Sequence, residues 1–263
     1  MRLGILGCGN MGSAIAKGIL SKRIFPFNNI YVSDKDSQKT RELYRKFGIM
    51  VAASEEVVKK SNFIILAVKP QNSADLLSSI KDILDQNKHL ISIMAGVKIS
   101  RIESYIGKKI AITRAMPNMA AMVGKSITAL SHNKLVKDKV MVHKVFSSIG
   151  ELIELEEKYM DAVTAVSGSG PAYFFYLAEC LGKAAEKLGI KKELALKLAI
   201  STLVGSGGLI EQLQTPPDLL RAQITSKKGT TEAALSVLKD KKLRSILEAA
   251  VKSAAQRSKE LSK

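Results

Sequence analysis

Through roughly the first 155 residues, apolar positions fall in short unbroken runs, and stretches of helical periodicity separate them. Residues 2–6, 29–33, 49–51, 62–68, 89–94 and 110–113 read as strands, rich in Ile, Val and Leu. Between them, residues 13–20, 41–47, 55–60 and 74–84 place apolar side chains at helical spacing. Later strands at 126–130 and 151–155 flank a helix at 138–147. Strands alternating with helices predict an α/β fold with a doubly wound, Rossmann-like parallel sheet. Beyond about residue 157 the period becomes helical throughout: 159–166, a break at Ser167-Gly-Ser-Gly-Pro171, then 172–188, 192–213, 219–224 and 232 onward. Pro171 suits the first position of the long helix that follows it. The expected organisation is a Rossmann-like domain at 1–157 and an all-helical domain at 158–263. Within the helix at 192–213, the stretches 195–200 and 203–209 carry apolar residues around much of the surface, too little polar face for a lone helical layer, so the second domain is expected to dimerise.

The first strand runs straight into Gly7-Cys8-Gly9-Asn10-Met11-Gly12, and the first helix follows at once. Strand, G-x-G-x-x-G and helix in that order form a dinucleotide fingerprint. The first glycine serves the tight turn, the second admits a pyrophosphate, and the third lets helix and strand pack closely. Asp34 ends the second strand about 20 residues further on, where an acid can accept from a ribose 2′-OH. Ser33 and Lys35 flank it and offer the opposite reading, a 2′-phosphate site. Lys69, in the loop after the fourth strand, is either a phosphate or carboxylate contact or a solvated lysine. Near the far end, Thr225-Ser226-Lys227-Lys228-Gly229-Thr230-Thr231 forms the step into a helix, where unpaired N–H groups favour an anion. Its threonines either cap that helix or donate to a bound group.

Composition trims the alternatives. The net charge of +17 fits nucleic-acid binding, but the lysines are scattered, aromatics make up 5% and tryptophan is absent. Stacking platforms are therefore scarce, and a field drawing in small anions is the cheaper account. No nucleic-acid partner and no membrane partner are expected, because no run approaches the length needed to span a bilayer. Cys8 and Cys180 stand far apart and read as free thiols of a reducing, cytoplasmic compartment. The three histidines, His89, His132 and His143, lack metal-ligand spacing, so no metal is expected.

Taken together, Gly9-Asn10-Met11-Gly12, Ala67-Val68-Lys69-Pro70, Ala95-Gly96-Val97, Ala115-Met116-Pro117-Asn118, Ser167-Gly168-Ser169-Gly170-Pro171-Ala172-Tyr173 and the Ser226 to Thr231 loop closely resemble pyrroline-5-carboxylate reductase, in order over nearly the whole chain. The resemblance implies reduction of 1-pyrroline-5-carboxylate to L-proline, the last step of proline biosynthesis, with NADP as the coenzyme (its reduced form NADPH preferred as hydride donor) and NAD possible. It implies that Leu6, Gly7, Cys8, Gly9, Asn10, Met11 and Gly12, then Ser33, Asp34, Lys35 and Ser54, then Ala67, Val68, Lys69 and Pro70 hold the cofactor. Ala95, Gly96 and Val97 would line its nicotinamide end. Ser226, Gly229 and Thr230 would bind the substrate carboxylate, with Thr231 the catalytic donor to the ring nitrogen. In that family helical domains of two subunits interlock, which implies a homodimer or a higher assembly of dimers. The chain departs from the pattern at Lys227-Lys228, where the common form is Pro-Gly, and at Ser54, where many members have asparagine. A related two-domain 3-hydroxy acid dehydrogenase or imine reductase is the alternative, as is a non-catalytic dinucleotide-binding scaffold. The dehydrogenases usually rely on a lysine in the helical domain and leave the Ser226 to Thr231 loop unexplained.

Overall fold

The computed structural model describes residues 1–261; the final two residues of the expected helical domain, 262 and 263, lie outside the described residues. In chain order the first part contains β1 (Leu3–Leu6), α1 (Asn10–Ser21), β2 (Ile30–Ser33), α2 (Ser37–Phe47), β3 (Met50–Val51), α3 (Ser54–Lys60), β4 (Phe63–Leu66) and α4 (Ser73–Ile80). It continues with β5 (His89–Ser92), α5 (Ile99–Ile106), β6 (Ala111–Met116), β7 (Ser126–His132), α6 (Val140–Ser147) and β8 (Gly150–Glu154). The eight strands form one sheet in the order β3-β2-β1-β4-β5-β6-β7-β8. The order reverses between β1 and β4, the topological switch point at which such sheets bind ligands.

The unbroken apolar runs are explained by cover on both faces of the sheet. Leu3, Ile5, Ile30, Val32, Ile65 and Ile91 point into one core with Ile15 and Ile19 of α1 and Val145 and Phe146 of α6. Their neighbours Leu6, Tyr31, Ile64, Leu66 and Leu90 point into the other, with Val57, Leu77, Ile80 and Ile102. Two features differ from the sequence reading. Helix α5 was not foreseen: its buried face is only Ile99, Ile102 and Ile106, and it closes on Gly107 in the left-handed region. The pair β6–β7 is antiparallel in an otherwise parallel sheet. Only a 3₁₀ turn, Met119–Val123, joins those strands, and a parallel return needs a crossover of a dozen residues or more.

By packing, the chain divides into two compact units, one being Met1–Ser169 with the segment from Ala254 onward, the other Gly170–Ser253. The first unit therefore extends past 157. Helix α7 (Met160–Val163) and the π-turn Thr164–Gly168 belong to it, with Met160 and Ala165 fully buried. Arg114, 3% exposed at its side chain, reaches Glu157 at 3.2 Å and Asp161 at 3.9 Å. Asp161 also accepts from Ser258 at 2.7 Å.

The second unit holds α8 (Gly170–Lys187), α9 (Lys192–Leu213), α10 (Pro217–Gln223), α11 (Thr230–Asp240) and the start of α12 (Leu243–Leu261). One helix was expected from 232 onward; Lys242, at φ +55, breaks it in two. The expectation that no stretch suits a bilayer is also corrected. Among the described residues α9 is long and apolar enough to cross a membrane by length and composition. Buried residues in α9 are only Ala195 and Ala199, and in α8 only Gly170, Ala178 and Gly182. Phe174, Phe175, Tyr176, Leu198 and Val204 are all more than half exposed in the single chain. An apolar surface of this kind marks an interaction face.

Candidate active site

The β1 turn and three neighbouring strand ends build a cleft of about 510 Å³ in the first unit. Gly7 sits at φ +110, which favours glycine, and its amide donates to the carbonyl of Ser33 at 2.8 Å. A side chain on Gly7 or Gly12 would strike backbone, that of Ala67 and of Gly7 respectively, whereas nothing lies within 4 Å of a Cβ on Gly9. The turn is thus tight at its ends and open in the middle. Gly9 is the N-cap of α1 and supplies no side-chain cap, so the first N–H groups of the helix are left for an anion. These features fit a dinucleotide pyrophosphate. Cys8 is buried, and burial with the nearby Asp34 carboxylate pushes its thiol up to about 12. It packs the turn and has no redox poise.

Leu6, Gly7, Gly9, Ser33, Asp34, Lys35, Ser54, Ala67, Val68 and Lys69 line this cleft. Asn10 is exposed and Met11 and Pro70 half-buried, while Cys8 and Gly12 are buried beneath the turn. The carboxylate of Asp34 turns back on the backbone, accepting from the amide of Cys8 at 2.6 Å and of Asp36 at 2.8 Å. Ser33 and Ser54, the first residue of α3, meet hydroxyl to hydroxyl at 3.1 Å. The three residues after β5 are placed differently. Gly96 and Val97 are buried, a Cβ on Gly96 would lie 2.9 Å from the carbonyl of Ser258, and only Ala95 keeps surface. Five further residues line the cleft that sequence reasoning missed: Lys39, Asn72, Asp75, Leu76 and Ser79. The last four follow the i, i+3, i+4, i+7 spacing of one helical face, and that spacing was the available signal.

In the second unit, the loop before α11 has its own geometry. Gly229 is the N-cap and supplies no side-chain cap. Thr230 and Thr231 are the first two residues of the helix, so the capping role considered for them falls to the glycine backbone. Thr231 is half-buried, and Ser226, Lys227, Lys228 and Thr230 are exposed. The amide of Gly229 donates to the carbonyl of Ser226 at 3.0 Å, and a Cβ on Gly229 would run into the Ser226 hydroxyl. Lys228 takes φ +59, a conformation that costs a non-glycine residue about 1 kcal/mol or more. Its amide donates to Glu232 at 2.6 Å, which holds the strained residue in place.

The histidines come together where their spacing gave no hint. His89, Thr113 and His132 form a hydrogen-bonded row, and His132, which ends β7, lies with His143 near Glu154. Burial pushes His89 down to about 4 and lowers His132 as well.

Comparison with known proteins then adds a lineage. Residues 157–261 match the family described as pyrroline-5-carboxylate reductase dimerisation, and residues 2–96 match NADP oxidoreductase coenzyme F420-dependent. The pyrroline-5-carboxylate reductase of Arabidopsis thaliana is 36% identical, covering 99% of this chain and 95% of the plant protein. That of Methanosarcina acetivorans is 35% identical over 100% of this chain and 98% of its own. Among solved structures, the Plasmodium falciparum pyrroline carboxylate reductase with NADP bound has a TM-score of 0.88 at 32% identity, covering 100% and 98% of the two chains. The Coxiella burnetii pyrroline-5-carboxylate reductase reaches 0.92 at 33%, with the same coverage.

Proposed function

We infer the reaction from this kinship: the chain belongs to the pyrroline-5-carboxylate reductase family, and it reduces 1-pyrroline-5-carboxylate to L-proline with a nicotinamide dinucleotide. A dinucleotide held at the glycine turn by Gly7, Gly9 and the first amides of α1 would supply a hydride, two electrons with the hydrogen, to the imine carbon. A new C–H bond forms there, the π pair of the C=N bond moves onto nitrogen, and nitrogen takes up a proton. Neither a metal nor a covalent nucleophile is needed, only two reactants held in near-attack geometry.

The observation that carries the substrate reading is the start of α11. With Gly229 as an uncapped N-cap, the amides of the first turn and the hydroxyls of Thr230 and Thr231 are available to a ligand. A carboxylate suits that helix end, aided by the charges of Lys227 and Lys228. Ser226, Gly229 and Thr230 take the carboxylate in this reading, and the Thr231 hydroxyl donates to the ring nitrogen and relays a proton from water.

For the cofactor we propose NADPH over NADH. Support comes from Asp34, whose two oxygens are already occupied by backbone amides. Its charge is thereby partly compensated, and Ser33, Lys35, Lys39 and Ser54 are the groups best placed for a 2′-phosphate. The helical unit, on the same reading, supplies the interface of a homodimer.

The decisive measurement compares Thr231→Ala and Thr231→Ser with the parent, using the pyrroline substrate and both coenzymes. Thr231→Ala should lower kcat by roughly tenfold to a thousandfold with little change in cofactor affinity, the scale of losing one positioned donor. Thr231→Ser should keep most of the activity. An active but destabilised Thr231→Ala enzyme would sink the assignment, and a large kcat/KM preference for NADH would show Asp34 dominating.

A further inference from the structure

At the β8 edge of the sheet, three side chains far apart in sequence converge. His132 ends β7, Glu154 ends β8, and His143 lies on the helix α6 between them. The Nε2 of His143 is 2.7 Å from Glu154 Oε1, and the Nε2 of His132 is 3.7 Å from the same oxygen. The three donor atoms all lie within 4.8 Å of one another. Ligands around a tetrahedral ion bound at 2.0–2.1 Å stand about 3.4 Å apart. Rotations of His143 and Glu154, both more than a third exposed, are enough to close the difference.

The buried histidine is already arranged as a ligand. Its side chain is 8% exposed, and its Nε2 is buried with no hydrogen-bond partner. Its Nδ1 lies 2.8 Å from Thr113 Oγ1, which lies 2.8 Å from His89 Nε2. The hydroxyl has one proton, and the tautomers follow from where it goes. Metal binding takes the arrangement in which His132 Nδ1–H donates to Thr113 and Thr113 donates to His89. That directs the Nε2 lone pair of His132 toward Glu154 and His143, and it supplies the backing hydrogen bond that metal-ligating histidines use. On the far side, Lys139 Nζ holds Glu154 Oε2 at 2.6 Å, so Oε1 is the oxygen presented.

We propose that His132, His143 and Glu154 bind one transition-metal dication of the zinc type, tying α6 to the ends of β7 and β8. Two imidazoles and one carboxylate select zinc over magnesium or calcium, and three protein ligands leave the fourth position to water. The lysine beside Glu154 opposes the incoming charge, so micromolar binding is expected. None of the three residues lines the cofactor cleft or belongs to the loop before α11.

The test uses untagged full-length protein, stripped with a chelator and titrated with zinc sulfate by calorimetry, with magnesium sulfate as control. One zinc per chain should bind, and a large excess should raise Tm by several degrees, on the order of 5 °C. Magnesium should do neither. His143→Ala, at an exposed position, should retain its zinc-free Tm and lose at least tenfold in zinc affinity. Glu154→Gln should do the same, and the visible bands of tetrahedral Co²⁺ bound to the parent should vanish in both variants. Absence of stoichiometric zinc binding, or undiminished binding in the two variants, would overturn the site.

Discussion

The two units of this chain solve the burial problem in opposite ways. In the first, β1, β2, β4 and β5 are buried but for the half-buried Phe63, under one helical layer or the other, while the two-residue edge strand β3 is exposed. In the second, two long helices bury little more than Gly170, Ala178, Gly182, Ala195 and Ala199, while their Phe, Leu and Val side chains face out. A helix buries small residues against its neighbour so that the backbones approach, and here the large residues are kept for something else. One unit holds its core within the chain, and the other has the composition of a core still lacking its second half.

The most forceful way to break that contrast is to charge the uncovered face. The double variant Leu198→Asp, Val204→Asp should weaken self-association by more than about a hundredfold, since each carboxylate would be desolvated in an apolar contact. Activity should fall with dimer content in light-scattering and rate measurements on the same samples, and a fully active monomer would remove the argument. A smaller effect is expected from the first unit's own weak point. Gly12→Val forces a side chain onto the Gly7 carbonyl, an overpacking cost of about 1–3 kcal/mol, which if borne by the binding turn is roughly 5- to 150-fold weaker coenzyme binding. Its dimer should survive intact, so fluorescence titration of the coenzyme beside light scattering separates the two units. Unchanged binding would mean that the turn tolerates a Cβ.

Acid should sharpen the contrast more gently. All three histidines lie in the sheet unit, and burial holds His89 near 4 in the folded protein against about 6.5 when unfolded. The unfolded chain therefore binds the extra proton. Stability from this group is complete above pH 6.5 and declines as pH falls toward 4, by up to roughly 3 kcal/mol. Chemical denaturation at pH 7 and pH 4.5 should show the loss, and His89→Asn should flatten it. An equal slope in the variant would assign the acid sensitivity to other groups.

How much of this was legible in advance depended on how local the physics was. The glycine turn, the strand–helix alternation and the extent of α9 are written in consecutive residues, and a reader of the sequence can recover them. The reversal at β7 is set by a short connection between Pro117-Asn118 and Gly124; those residues mark a turn, but not whether the strand after it returns parallel or antiparallel. The split between α11 and α12 rests on a lysine in the left-handed region, which lysine does not advertise. Asp34 shows the limit most clearly. Its position was readable, but its two bonds to the Cys8 and Asp36 amides depend on how the first two strand ends lie side by side. The His132, His143 and Glu154 cluster was invisible for the same reason, because only the sheet brings those residues together.

The Ser258 hydroxyl on Asp161 carries one more implication, this time for the order of events during synthesis. The segment from Ala254 onward completes the first unit, yet the ribosome makes it only after all of Gly170–Ser253. At typical elongation rates the sheet waits on the order of ten seconds for its closing piece. During that interval the nascent sheet has Asp161 without its serine and Gly96 without its cover. The apolar faces of α8 and α9 emerge in the same interval. If two copies pair through those faces, nascent chains on one message have time to meet before either sheet is closed.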